Sequence, residues 1–337
     1  MKDAAVHLGW GGFMQIHFYL PERYLPDLSR RETWKAGTIT QLEESGKIAC
    51  AQCWIFQTWL ALEQNGFPAQ LTHSIPSKGI MVALTNCLAR EFNPPKEIFF
   101  VGIVADFVPH ARANLHVVQN GTHAKRLWNS AFLPLWPHPN LIPRDAARGS
   151  RFENVCFFGE KSNLTRELAD PRWSRQLKEE LGLNFIVQGA DRWHDYSQAD
   201  CVLAVRDFRR SPHLHKPATK LYNAWLADVP FIGGMDSAYA HDGKPGNDFL
   251  QAATVGELLA HLRQLQQQPA LRQRLVAAGR IAGQDFAFEA TLARWRCLLG
   301  DAVPELAREW QRKSMSARGL FRALQKAAVW LDIRFRR

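Results

Sequence analysis

Lys216 and Lys220 stand where a helix should begin, within His215-Lys216-Pro217-Ala218-Thr219-Lys220-Leu221. The aligned peptide dipoles make a helix N-terminus electropositive, so cations there are disfavoured unless an anion offsets the repulsion. Two lysines at that end ask for an anionic ligand, and a phosphate or diphosphate is the one predicted. The alternative is a solvated lysine pair capping an ordinary crossover helix.

The flanking elements position this chemistry. Pro217 fits a first helical turn, where its missing N–H costs nothing, and Leu221, Ala224, Trp225 and Ala227 follow at helical spacing. Residues 199–205 before it, and 229–232 after it, are apolar runs of strand length. Strand, helix, strand is the parallel crossover unit. In such a sheet the ligand crevice lies beyond the carboxyl ends of the strands, where Arg206, Lys216 and the helix start would converge.

The pattern Pro217-x-x-Lys220-Leu221-x-x-Ala224, closing in Val229-Pro230-x-Ile232, resembles the donor-site helix of the GT-B glycosyltransferases, of the metal-independent group 1 kind. The likeness extends to residues 196–206 and to the strand signal Asn154-Val155-Cys156-Phe157-Phe158-Gly159, and so covers about residues 150–300. It implies an α/β chain of two Rossmann-like domains, the second a doubly wound parallel sheet. Two positions depart from the family pattern. Asn223 stands where an acidic residue grips the nucleotide ribose, and Asp228 replaces a glycine. An amide still bonds a ribose hydroxyl as donor and acceptor, but the paired-glutamate mechanism does not carry over.

The resemblance implies glycosyl transfer from a nucleotide sugar, in which negative charge builds on the diphosphate as the anomeric bond breaks. No D-x-D pair occurs anywhere in the chain, so the expected site uses no metal. The charge then falls to Arg206, Lys216, Thr219, Lys220 and helix-end N–H groups. No cofactor is expected, the nucleotide sugar being a substrate. Gly159, Arg192, Trp193 and Asn223 are the candidates for bordering the nucleotide, although Trp193 reads equally well as a packed ring in an ordinary loop. The acceptor hydroxyl needs a base from the other domain, and His7, His17, His73, Asp106, His110 and His116 are available. Asp106 ranks first because it ends a strand on the crevice side, and His110 second. His213 and His215 lack a carboxylate or cysteine at ligand spacing.

A chain of 337 residues with 46% hydrophobic content, 12 Trp and 20 Phe has ample material for two folded domains and argues against disorder. Prolines 134, 137, 139 and 143 mark an extended linker, with Trp136 as its anchor. The expected division is an acceptor-side domain over 1–135, a linker over 136–144, a donor-binding domain over 145–300 and a basic amphipathic tail over 301–337. Helices are expected over 50–65, 171–181, 255–267, 269–282 and 288–299. The first forty-odd residues carry no clear pattern, and Gly9-Trp10-Gly11-Gly12 reads as a loop without a convincing strand before it.

The net charge of +10 asks for a polyanionic partner, but much of it is local. From residue 308 onward nine basic residues face only Glu309 and Asp332, which argues against a general nucleic-acid-binding surface. Leu320, Leu324, Ala327, Leu331 and Phe335 fall on one helical stripe, with Arg318, Arg322, Lys326, Arg336 and Arg337 roughly opposite. Such a helix suits an anionic membrane surface or the flank of the first domain. The six scattered cysteines read as free thiols, and Cys50-x-x-Cys53 as part of a packed helix. No secretory signal or spanning segment is evident, so the expected location is the cytoplasm, with a peripheral place on the inner membrane face as an option. The leading function is metal-independent transfer of a sugar to a glycan or lipid-linked acceptor, as in polysaccharide biosynthesis. The rivals are a nucleotide-sugar epimerase of the same architecture and a non-catalytic nucleotide-sugar-binding protein on a membrane.

Overall fold

In the computed structural model of the chain, residues 14–24, 50–209 and 211–335 are described. His7 and the loop over 9–12 lie outside them, as do Arg336 and Arg337.

Two parallel sheets organise the molecule. The first is built from β1 (Ile16–Tyr19), β2 (Gln70–Thr72), β3 (Lys78–Leu84), β4 (Glu97–Ile103), β5 (Leu115–Val118) and β6 (Ser130–Phe132), in the order β2-β1-β3-β4-β5-β6. β3 and β4 are buried at every position but the first, because a parallel strand covered on both faces needs a continuous apolar run. Gly79, at φ 98, marks the entrance to β3. A Cβ there would stand 2.5 Å from the Gln15 carbonyl oxygen, the acceptor of the Ile80 N–H, so only glycine fits. β1 escaped the sequence reading, since four residues reading Ile-His-Phe-Tyr offer too little pattern.

The second sheet contains β7 (Asn154–Phe158), β8 (Asn184–Gln188), β9 (Cys201–Ala204), β10 (Phe231–Gly233) and β11 (Leu250–Gln251), in the order β11-β10-β9-β7-β8. All its pairs are parallel. The chain runs from β7 outward to β8, then returns to the other side of β7 to form β9. This doubly wound order puts the topological switch point between the carboxyl ends of β7 and β9. Asp200 pins the two strand starts together: it accepts from Arg148 at 2.6 Å, Arg144 at 2.8 Å and the backbone N–H groups of Glu153 and Asn154.

The helices that matter here are α1 (Gln57–Gln64), α2 (Gly121–Ala124), α3 (Pro171–Leu181), α4 (Thr219–Leu226), α5 (Ser237–Asp242), α6 (Val255–Gln267), α7 (Pro269–Gly283), α8 (Phe288–Cys297), α9 (Val303–Arg312) and α10 (Met315–Arg334). α3 shows why the sequence was readable at such places: Asp170 caps it, Pro171 opens it and Gly182, at φ 68, ends it. The proline-rich stretch is seated by Trp136, whose indole N–H donates to Thr58 Oγ1 at 2.9 Å and whose ring lies 5.1 Å from that of Phe288.

The last helices return to the first sheet. Trp295 of α8 packs against Trp54 and Phe18, and Leu299, Val303, Ala307 and Trp310 belong to the same core. Periodicity shows that a helix has an apolar face but not which sheet that face will cover, so residues 288–300 read as an extension of the second domain. α10 then lies on the flank of the first sheet, held by the face opposite to its leucine stripe. Gln325 donates to His116 Nδ1 at 2.8 Å, and Asp332 meets His123 Nε2 at 2.5 Å. Arg318 and Arg322, read as lying opposite the leucine stripe, are accordingly on the inner side: both cover the Trp310 ring, and Arg322 donates to the carbonyls of Arg112 and Ala113.

Candidate functional site

The site is assembled at the switch point of the second sheet. Gly159 follows β7, Arg206 follows β9, and α4 begins after the loop that carries Lys216. α4 starts at Thr219, so Pro217 lies just outside the helix and Lys220 within its first turn. No side chain caps this N-terminus and no acidic residue occupies its first turn. The Thr219 hydroxyl oxygen is buried with no hydrogen-bond partner.

Lys220 extends across the mouth of the sheet. Its ammonium lies 5.4 Å from the centroid of the Phe157 ring, and its stem abuts Gly159, where an added Cβ would stand 3.1 Å from the Lys220 Cε. Glycine at that position leaves room for the lysine. Among the described residues Lys220 makes neither a hydrogen bond nor an ion pair. Burial, then the nearby Arg206 charge, push its pKa down from 10.5 to about 7. An unpaired cation beside an uncapped helix N-terminus is a place built for negative charge.

Arg206 is held ready on the other side. Its Nε donates to Asp236 Oδ1 at 2.7 Å and its Nη2 to the Pro217 carbonyl at 3.3 Å. Asp236, which follows Gly233-Gly234 at the end of β10, was not foreseen. A single acidic residue beyond a strand carries no signal until the fold places an arginine against it.

The first domain meets this site through the ends of β4 and β5. Asp106 follows Ala105, whose φ of 47 is unusual for a residue with a side chain. Its Oδ2 accepts from Lys216 Nζ at 2.7 Å and its Oδ1 from Gln119 Nε2 at 2.6 Å. Gln119 also donates to the His215 carbonyl at 2.7 Å, and Asn120 to Ser237 Oγ at 2.9 Å and the Lys216 carbonyl at 3.3 Å. These two amides, also absent from the sequence reading, join the domains directly across the cleft.

The predicted residues thus divide. Arg206, Lys216, Thr219, Lys220, Gly159 and Asp106 converge. His110 does not: Nδ1 accepts the Arg112 N–H and Nε2 donates to the Ala89 carbonyl, while the ring packs between Phe92 and Phe100. With both nitrogens engaged it buttresses the loop instead of facing the cleft. Asn223 gives its amide oxygen to the His138 N–H at 3.0 Å, which ties α4 to the linker. Arg192 is ion-paired with Asp195 at 2.5 Å, and the Trp193 indole donates to the Gln188 carbonyl at 3.1 Å with its ring against the core. Of the other histidines, His116 is fully buried, His17 lies in β1 and His73 is exposed. His213, the neighbour of His215, pairs with Asp207 at 3.1 Å.

The sequence matches no protein-family profile and no curated protein. Solved structures do match. HepE (Alr3699) of Anabaena in complex with UDP and glucose aligns over 86% of this chain and 100% of its own, with a TM-score of 0.50 and 11% identity. The same protein with UDP-glucose aligns over 87% and 100%, again with a TM-score of 0.50 and 11% identity. A sucrose-phosphate synthase of Thermosynechococcus elongatus aligns over 76% and 78%, with a TM-score of 0.47 and 14% identity. At these identities the likeness is one of architecture, and two facing parallel-sheet α/β domains give this chain the GT-B glycosyltransferase fold.

Proposed function

We propose that this protein is a metal-independent glycosyltransferase that binds a nucleotide-sugar diphosphate at the α4 N-terminus and passes the sugar to a hydroxyl acceptor, a glycan or a lipid-linked saccharide. The observation that carries this reading is Lys220, an unpaired and desolvated ammonium held between Gly159 and Phe157. As the anomeric bond breaks, charge develops on the departing diphosphate, and Lys220, the Thr219 hydroxyl and the helix-end N–H groups meet it. Arg206, oriented by Asp236, supports the same charge from across the switch point.

Lys216 and Asp106 divide the remaining work. The two side chains pair with each other across the cleft at 2.7 Å. A diphosphate competes with Asp106 for the Lys216 ammonium, and its arrival leaves the carboxylate free to take the acceptor proton. Donor binding and base release are then one event.

Lys220→Ala tests the assignment. Losing one fixed donor at a developing oxyanion costs roughly a hundredfold or more in turnover. The purified variant should keep the wild-type circular dichroism spectrum and lose both UDP-sugar turnover and nucleotide affinity. Wild-type activity and affinity in that variant would rule the site out. A panel of nucleotide sugars, assayed with and without saccharide acceptors, separates transfer from epimerisation and from binding without turnover.

A further inference from the structure

We infer that the outward face of α10 is a docking surface for an anionic lipid membrane. Leu320, Leu324, Leu331 and Phe335 are 64%, 50%, 47% and 66% exposed, although they form one continuous helical stripe, and Trp330 beside them is 56% exposed. A stripe of this kind ordinarily turns inward. Here the inward side is already fixed by polar contacts: Gln325 on His116, Asp332 on His123 and Arg322 on the carbonyls near β5. The helix therefore shows its leucines to the outside without depending on them for attachment.

Charge identifies the occupant. The sole acidic residue of α10 is Asp332, and it is turned onto His123. Lys326 and Arg334 flank the stripe, and Arg334 lies 5.2 Å over the Trp330 ring, an aromatic-basic pair suited to the headgroup layer. Anionic headgroups complement the flanks while acyl chains take the leucines. A second copy of the chain fits less well, because a two-fold contact would bring the same cationic flanks together. No helix among the described residues is long and apolar enough to cross a membrane, so α10 would lie in the interface plane. This inference is independent of the catalytic reading.

The test is sedimentation of the full-length protein with phosphatidylcholine vesicles, with and without phosphatidylglycerol. Wild type should pellet with the phosphatidylglycerol vesicles and lose that binding as salt is raised. The double variant Leu320→Glu, Leu324→Glu should partition at least roughly tenfold less. Its thermal midpoint should not fall, since both side chains are exposed in the wild type. Lys326→Glu with Arg334→Glu should remove the preference for phosphatidylglycerol. The proposal fails if wild type does not pellet with the anionic vesicles, or if the leucine variant pellets as well as wild type. It also fails if the leucine substitutions disperse a wild-type dimer, detected by light scattering, while leaving vesicle binding unchanged.

Discussion

At the scale of single residues, Lys220 is a cation that the fold keeps near its titration midpoint. Burial lowers its folded pKa to about 7 from an ordinary 10.5, so the unfolded chain holds the proton more tightly between those values. Without ligand, the Lys220 contribution to stability therefore rises with pH across that window, because the neutral amine is the form the folded site tolerates. A bound diphosphate reverses the preference and recharges the amine. Calorimetric titration with UDP near pH 7 should show uptake of about half a proton, approaching one as the pH rises towards 9, read as a dependence of the apparent enthalpy on buffer ionisation heat. Lys220→Met should abolish the uptake, and a buffer-independent enthalpy in the wild type would contradict the assignment. Asp106 makes a second residue-scale prediction. Asp106→Asn should lower turnover roughly a hundredfold or more through loss of the base, while nucleotide affinity holds or rises because Lys216 loses its competing partner. Parallel losses of affinity and turnover would mean that Asp106 serves donor binding instead.

At the scale of elements, the site depends on how closely α4 approaches the end of β7. Gly159→Val would drive its side chain into the Lys220 stem and the Phe157 ring, both already 3.1 Å from a hypothetical Cβ. Displacing the ammonium should weaken UDP binding roughly tenfold without unfolding the domain. Affinity equal to wild type would show that the lysine has another route to the phosphate. This close approach was only half legible. The Pro-x-x-Lys-Leu-x-x-Ala spacing and the apolar runs of β9 and β10 announced a crossover unit, because each element carries its own period and its own punctuation. Gln119, Asn120 and Asp236 announced nothing. They are isolated polar residues at strand ends, and their meaning comes from partners about a hundred residues away for the two amides and thirty for Asp236. His110 and Asn223 present the opposite case: their residue types suited the chemistry, but backbone N–H groups, 2 residues away for His110 and 85 for Asn223, engage a ring nitrogen of the one and the amide oxygen of the other. Helical periodicity likewise located α8 and α10 while leaving open which surface each would cover.

At the scale of the whole molecule, α8, α9 and α10 carry the chain from the second sheet back across the first, and the seal of that return is His116. The residue is fully buried in β5, with Nε2 donating to the His110 carbonyl and Nδ1 accepting from Gln325 of α10. That pairing demands a neutral ring, and burial accordingly depresses its pKa from 6.5 to about 3. The unfolded chain binds a proton below 6.5 that the folded chain refuses until about 3, so the stability contributed by this group falls steadily through the interval. One such histidine contributes a slope of about 1.4 kcal/mol per pH unit. Urea midpoints measured between pH 6 and about 4 should therefore decline in the wild type, and more shallowly in His116→Gln by close to one proton. The slope is the quantity to compare, because the substitution lowers absolute stability by disturbing the contact with Gln325. An unchanged slope would mean that the ring is not held neutral. The return of the C-terminal helices would then owe nothing to the protonation of this site.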